Sequence, residues 1–173
     1  MINAGRFEAF VREYQRLVFA TAVRMLGDRA EAEDVSQSVF LKAFRRFEDL
    51  DGSPTAAGWL KTVTTNLCLN HLSRYRARWQ FFSELDRPGG GERYEATLAA
   101  ISDDPLEAAS RQEQLEHAVT ALPDHQRVPL VLFHFEDMSY KEIAAALGIS
   151  LAKVKTDIHR GREMLKRALR GAV

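Results

Sequence analysis

A chain of 173 residues with 46% hydrophobic content can form one or two small domains with a sizeable core. It has no apolar run near the ~18 residues that a membrane-spanning helix needs. Net charge is zero but segregated: residues 1–83 carry 12 basic and 9 acidic side chains (+3), residues 84–137 carry 4 and 12 (−8), and residues 138–173 carry 8 and 3 (+5).

Basic ends flanking an acidic middle suggest two DNA-facing parts separated by a segment that repels DNA or screens them. The alternative is an ordinary solvated surface of mixed sign. The N-terminal MINAGRFEAFVREYQ lacks the uninterrupted apolar core of a secretory signal, which points to the cytoplasm. Cys68 is the single cysteine, so an intramolecular disulfide is excluded. With His71 it makes half of a zinc site, but no second Cys/His pair matches it, and a structural role is expected, with no metal and no cofactor.

The first helix is expected from about 5 to 26, with Phe7, Phe10, Val11, Tyr14, Leu17, Val18, Ala22 and Met25 on one buried stripe and a stop before Gly27. Asp28 and Glu31 form a capping pair that opens a second helix to about Phe47. Its apolar arc is wide, with Val35, Val39, Phe40, Ala43, Phe44 and Phe47. Opposite lie Asp34, Gln37, Ser38, Leu41 and Arg45, with Leu41 at the centre of the face. A lone exposed leucine is ordinary, but a leucine ringed by polar groups also suits protein docking.

Asp51-Gly52-Ser53-Pro54 predicts a turn followed by a helix, with Ser53 as cap and Pro54 in first position. That third helix is expected to bury Trp59, Leu60, Val63, Leu67 and Leu72 and to present Lys61, Asn66, Asn70 and Arg74. It runs into Arg74-Tyr75-Arg76-Ala77-Arg78-Trp79, with no acid between Asn66 and Ser83. Interleaved arginines and aromatics suit unpaired strands, although the same aromatics could edge a core while the arginines stay solvated.

From about 85 to 103 the periodicity lapses, and Pro88 with Gly89-Gly90-Gly91 predicts a flexible linker. Asp104-Pro105 starts a helix containing Leu106, Ala109, Leu115, Ala118, Val119 and Leu122. Another follows Pro123, with Val128, Leu130, Val131, Leu132 and Phe135, and Pro129 is expected to kink it or mark a late start.

The last stretch, 139–170, reads as two helices on a tight turn. Ser139 and Glu142 make a capping box, Gly148 stops the first helix, Ile149 plugs the turn and Ser150 caps the second. Val154, Ile158, Gly161, Leu165 and Leu169 form one buried stripe. Thr156 lies opposite, with Lys155, His159, Arg160, Glu163 and Arg167 around it. This is the layout of a helix-turn-helix whose second helix enters the major groove, though a helical hairpin with a solvated basic face shares it.

The blocks DRAEAEDVSQSVFLKAFRRF, GWLKTVTTNLCLNHLSR and LPDHQRVPLVLFHFEDMSYKEIAAALGISLAKVK, in that order, resemble the extracytoplasmic-function sigma factors of the sigma-70 family. The resemblance covers nearly the whole chain except the linker. It implies an all-α fold: a region 2-like domain (1–84), a flexible linker (85–103) and a region 4-like domain with the helix-turn-helix (104–173). It implies no catalysis. Asp34, Gln37, Ser38, Leu41 and Arg45 match the block that binds the coiled coil of the polymerase β′ subunit, and the β flap is a further implied contact. Leu50 and Asp51, in the turn 50–56, with Lys61, Asn66, Asn70, Arg74 and Arg76 match the −10 DNA contacts, where a base is flipped and the strand is followed. Lys153, Lys155, Thr156, His159 and Arg160 match the −35 contacts. An anti-sigma partner is also implied.

Some positions depart from the family pattern. Ser38 stands where an acid is common, Thr62 where an arginine is usual, and Ala152-Lys153 where Gly-Thr is typical. Asp157 replaces a basic or polar residue and projects to the flank, so no direct base contact is expected from it. A stand-alone helix-turn-helix regulator would share the C-terminal unit but leave the first domain unexplained. The five histidines show no metalloenzyme spacing, and no phosphate-cradling glycine loop is present.

Overall fold

Residues 2–73 and 105–170 are described by the computed structural model, and their regular structure is entirely helical. The chain divides into two compact units, Met1–Arg74 and Tyr75–Val173. The segment 85–103, expected to be a linker, lies outside the described residues.

In the first unit α1 (Ala4–Leu26) begins at Asn3, whose side chain accepts the Gly5 and Arg6 amides at 3.0 and 3.3 Å. It ends at Gly27, whose φ of 67° is the left-handed stop. Asp28 caps α2 (Arg29–Arg45) by accepting the Glu31 amide at 2.9 Å. The second helix breaks at Arg46, short of the expected Phe47, and a single turn, α3 (Phe47–Leu50), follows. There Phe47 packs edge-on to Phe7 and Phe10, with centroids 5.2 and 5.5 Å apart, which seats α3 against α1.

Helix α4 (Ala56–Leu72) starts two residues later than expected. The Ser53 hydroxyl is engaged with Thr55 at 2.9 Å and does not cap the helix, and residues 53–56 form a turn closed by Ala56 N–H donating to Ser53 O at 3.3 Å. The buried face of α4 is also rotated from the expected one. Leu60, Thr64, Thr65, Cys68 and Leu72 face the core, while Trp59, Val63 and Leu67 are only half-buried. Threonines can occupy that core because their hydroxyls donate to the carbonyls of Leu60 and Lys61, at 2.6 and 2.9 Å, and leave no donor unpaired.

The second unit contains α5 (Pro105–Thr120), α6 (Asp124–His134), α7 (Tyr140–Leu147) and α8 (Leu151–Arg170). Helix α6 runs through Pro129 and is buried without a break from Gln126 to Leu132. It is the most continuously buried helix of the unit. Of the apolar residues along this stretch, Leu106 of α5 is exposed, whereas Val119 and Leu122 are buried. Helix α8 crosses α6 at Gly161, where a β-carbon would stand 3.0 Å from Leu130 Cδ1 and 3.4 Å from the Gln126 carbonyl. Removing that side chain permits a close approach and buries Val154 and Ile158. Among the described residues no helix is long and apolar enough to cross a membrane, and no cluster of His, Cys, Asp or Glu could hold a metal.

Candidate functional site

Three surfaces bring the expected functional residues together. The first is the exposed half of α8. Ser139 accepts the Glu142 amide at 3.1 Å, Gly148 takes φ 66°, and Ile149 N–H donates to Ala144 O at 3.1 Å. Ser150 then caps α8 through the Lys153 amide at 3.1 Å. These local bonds set the angle between α7 and α8 and so aim the N-terminal half of α8 outward.

On that half Lys155 is exposed and Thr156, His159 and Arg160 are partly so. The Thr156 hydroxyl donates to Ala152 O at 3.0 Å and keeps its lone pairs for an incoming donor. His159 Nε2 lies 3.4 Å from Glu163 Oε1. Lys153 is placed differently from its neighbours: its side chain is 15% exposed and its ammonium is paired with Asp157. Asp157 is not on the flank but in the core, its side chain 3% exposed. Burial raises its pKa, opposed by the Lys153 hydrogen bond and charge and by the charges of His125 and Arg160.

The second surface lies between α2 and α4, where Lys42, Arg45, Arg46, Trp59, Val63, Asn66, Leu67 and Asn70 line a groove of about 400 Å³. Asn66 and Asn70 stand exposed there as expected. Trp59, expected in the core, is part of the groove wall, and Arg45, expected on the docking face, lines this groove as well. Cations, amides and an indole on one concave surface can hold a phosphate chain and stack a base. Lys61 is half-buried. Leu50 is a core residue, so only its backbone is available to a strand, and Asp51 is paired with Arg6 at 2.5 Å. Arg74 and Arg76 lie outside the described residues.

The third surface is the outer face of α2. Asp34, Gln37, Ser38 and Arg45 are exposed around Leu41, which is 66% exposed. Ser38 Oγ donates to Asp34 O at 3.2 Å. Beside this face runs a groove of about 900 Å³ between α1 and α2, walled by Phe7, Val11, Phe19, Phe40, Leu41 and Phe44. The sequence places Phe40 and Phe44 on the apolar arc of α2 but does not mark them as left open, and Phe44 is 43% exposed. The width of the apolar arc on α2, more than one packing partner can cover, was the available signal.

The Sigma-70 region 2 family matches residues 10–78 and the Sigma-70 region 4 family matches residues 112–165. The ECF RNA polymerase sigma factor SigW of Bacillus subtilis is 29% identical over 174 residues, covering 98% of this chain and 93% of the relative. The RNA polymerase sigma-H factor of Pseudomonas aeruginosa is 30% identical over 167 residues, covering 94% and 86%. SigE of Mycolicibacterium smegmatis is 33% identical over 162 residues, and there the chain spans 60% of the relative's length.

Proposed function

The chain belongs to the extracytoplasmic-function sigma factors of the sigma-70 family, and we propose that its surfaces divide that work as follows. As a sigma factor it binds core RNA polymerase and directs it to promoters carrying its −35 and −10 elements. The face centred on Leu41, with Asp34, Gln37, Ser38 and Arg45, docks on the β′ coiled coil. The α2–α4 groove, with Asn66, Asn70 and Trp59, takes the opened −10 strand, together with Lys61, the backbone around Leu50 and Asp51, and Arg74 and Arg76. Lys155, Thr156, His159 and Arg160 read the −35 duplex.

A single observation carries this assignment: within one unit, an exposed leucine framed by polar side chains on α2 and a cationic groove with exposed asparagines between α2 and α4 have only Arg45 in common. Binding of a protein and of a strand can therefore be simultaneous. The chain performs no chemistry of its own and works in the cytoplasm, held in check by an anti-sigma protein that covers one of these faces. Run-off transcription with core polymerase on the region upstream of its own gene tests the reading. Promoter-specific transcripts are expected only with the chain added. Tight binding of a palindromic duplex without polymerase, and no transcript with it, would overturn it.

A further inference from the structure

The reading helix carries an unusual internal pairing. Asp157 projects from α8 into the seam against α6, where Val154, Ile158 and Gly161 are also buried. A carboxylate in such a seam has lost most of its water, and it persists only with compensating charge. Lys153, one turn earlier, folds back and places its ammonium on Asp157 Oδ2, and the charges of His125 and Arg160 act on the same carboxylate. Lys153 therefore differs from Lys155, two residues on, which stands exposed. Two lysines of the same turn serve opposite sides of the helix.

Taking α8 as the −35 reader, we infer that Asp157 is a positioning residue that withdraws Lys153 from DNA, leaving the phosphate attraction of the helix to its remaining cations. The reasoning is electrostatic. A lysine free on this turn would lie within reach of backbone phosphate and add affinity on every sequence alike. Held on Asp157, its charge is neutralised locally and its stem packs on the core. The chain thereby gives up part of its unselective attraction to duplex DNA, and productive binding depends more on base contacts and on polymerase.

The test uses the full chain assembled with core polymerase, on a promoter fragment identified by run-off transcription and on the same fragment with its −35 element scrambled. Affinity is followed across a salt series for wild type, Asp157→Asn and the double variant Lys153→Met with Asp157→Asn. Asp157→Asn is expected to release Lys153 and steepen the slope of log affinity against log salt by about one. Its gain is then about fourfold larger at 50 mM than at 200 mM salt, on both fragments. The double variant, in which both charges are gone, is expected to return to the wild-type slope. An unchanged slope in Asp157→Asn, or a double variant as steep as Asp157→Asn, would overturn the inference.

A variant-free measurement guards against misfolding. In the wild-type chain, amine acylation followed by mass spectrometry is expected to label Lys153 at least tenfold more slowly than Lys155, and equal rates would overturn the inference. Failure of wild type to give promoter-directed transcripts is a separate outcome, which removes the sigma-factor reading and this inference with it.

Discussion

Arg162 of α8 donates its Nε–H to Nε2 of His134, at the last turn of α6, across 3.1 Å. The guanidinium also sits 5.6 Å over the Phe133 ring. The bond requires His134 to be neutral, since a protonated imidazole has no acceptor. Burial lowers the pKa of His134, and the Arg162 charge lowers it further. A histidine whose folded pKa lies below 6.5 binds fewer protons folded than unfolded, so stability is present above pH 6.5 and is lost as pH falls below it. Amide protection of α6 and α8, corrected for intrinsic exchange, is expected to fall between pH 7.5 and 5.5 in wild type. The fall should be smaller in His134→Gln, whose amide oxygen can still accept from Arg162 without taking up a proton.

Leu41→Glu should weaken binding to core polymerase tenfold or more, equivalent to about 1.4 kcal/mol or more, with unchanged helicity. The side chain is 66% exposed, so folding loses little when it becomes polar. The proposed docking face loses its apolar centre. Fluorescence anisotropy of labelled chain titrated with core polymerase measures the difference. Equal affinities would remove Leu41 from the interface.

Where local bonds decide the structure, the sequence was sufficient. Asp28, Ser139, Ser150, Gly27 and Gly148 each act within four residues, and each does what its side chain or its lack of one dictates. The buried face of α4 was not legible, because Thr64 and Thr65 read as polar until their hydroxyls are seen to bond to their own helix. Arg127 is a similar case. Its side chain is 3% exposed, held by Asp124 and by the Leu122 carbonyl at 2.7 Å, and nothing in its spacing separates it from a solvated arginine. The α1–α2 groove escaped for the opposite reason, since hydrophobic periodicity marks which residues avoid water but not how many of them find a partner.

Trp59→Ala is expected to cost about 1 to 3 kcal/mol in strand opening, the usual worth of one base stacked on an aromatic ring. Trp59 is half-buried beside Asn66 and Asn70, which makes its exposed ring edge part of the groove. Permanganate reactivity of unpaired thymines in the holoenzyme–promoter complex should drop in Trp59→Ala and recover largely in Trp59→Phe. Reactivity unaffected by the alanine would assign the indole to packing alone.

Gly161→Val tests the crossing of α8 on α6. The new β-carbon meets Leu130 Cδ1 at 3.0 Å and the Gln126 carbonyl at 3.4 Å, and the buried Leu130 has little room to retreat. Overpacking of this kind costs about 1 to 3 kcal/mol. Hydrogen exchange should quicken across α6 and α8 while amides of α1, α2 and α4 keep their protection, because the two units carry separate cores.

Arg160 and Lys155 should fail in different ways when truncated. A guanidinium presents a planar fork that pairs with the O6 and N7 of guanine, whereas an ammonium is a point charge suited to phosphate. Arg160 is partly buried and lies in the field of Asp157, which restricts where its fork can point; Lys155 is exposed and free to follow the backbone. Arg160→Ala is therefore expected to cost about 1 to 3 kcal/mol on the preferred −35 element and to relax discrimination at one base pair. Lys155→Ala should weaken all sequences alike and reduce the salt slope by about one. A binding series over single-base −35 variants at several salt concentrations separates the two, and a uniform, salt-dependent loss in Arg160→Ala would reassign that arginine to the backbone.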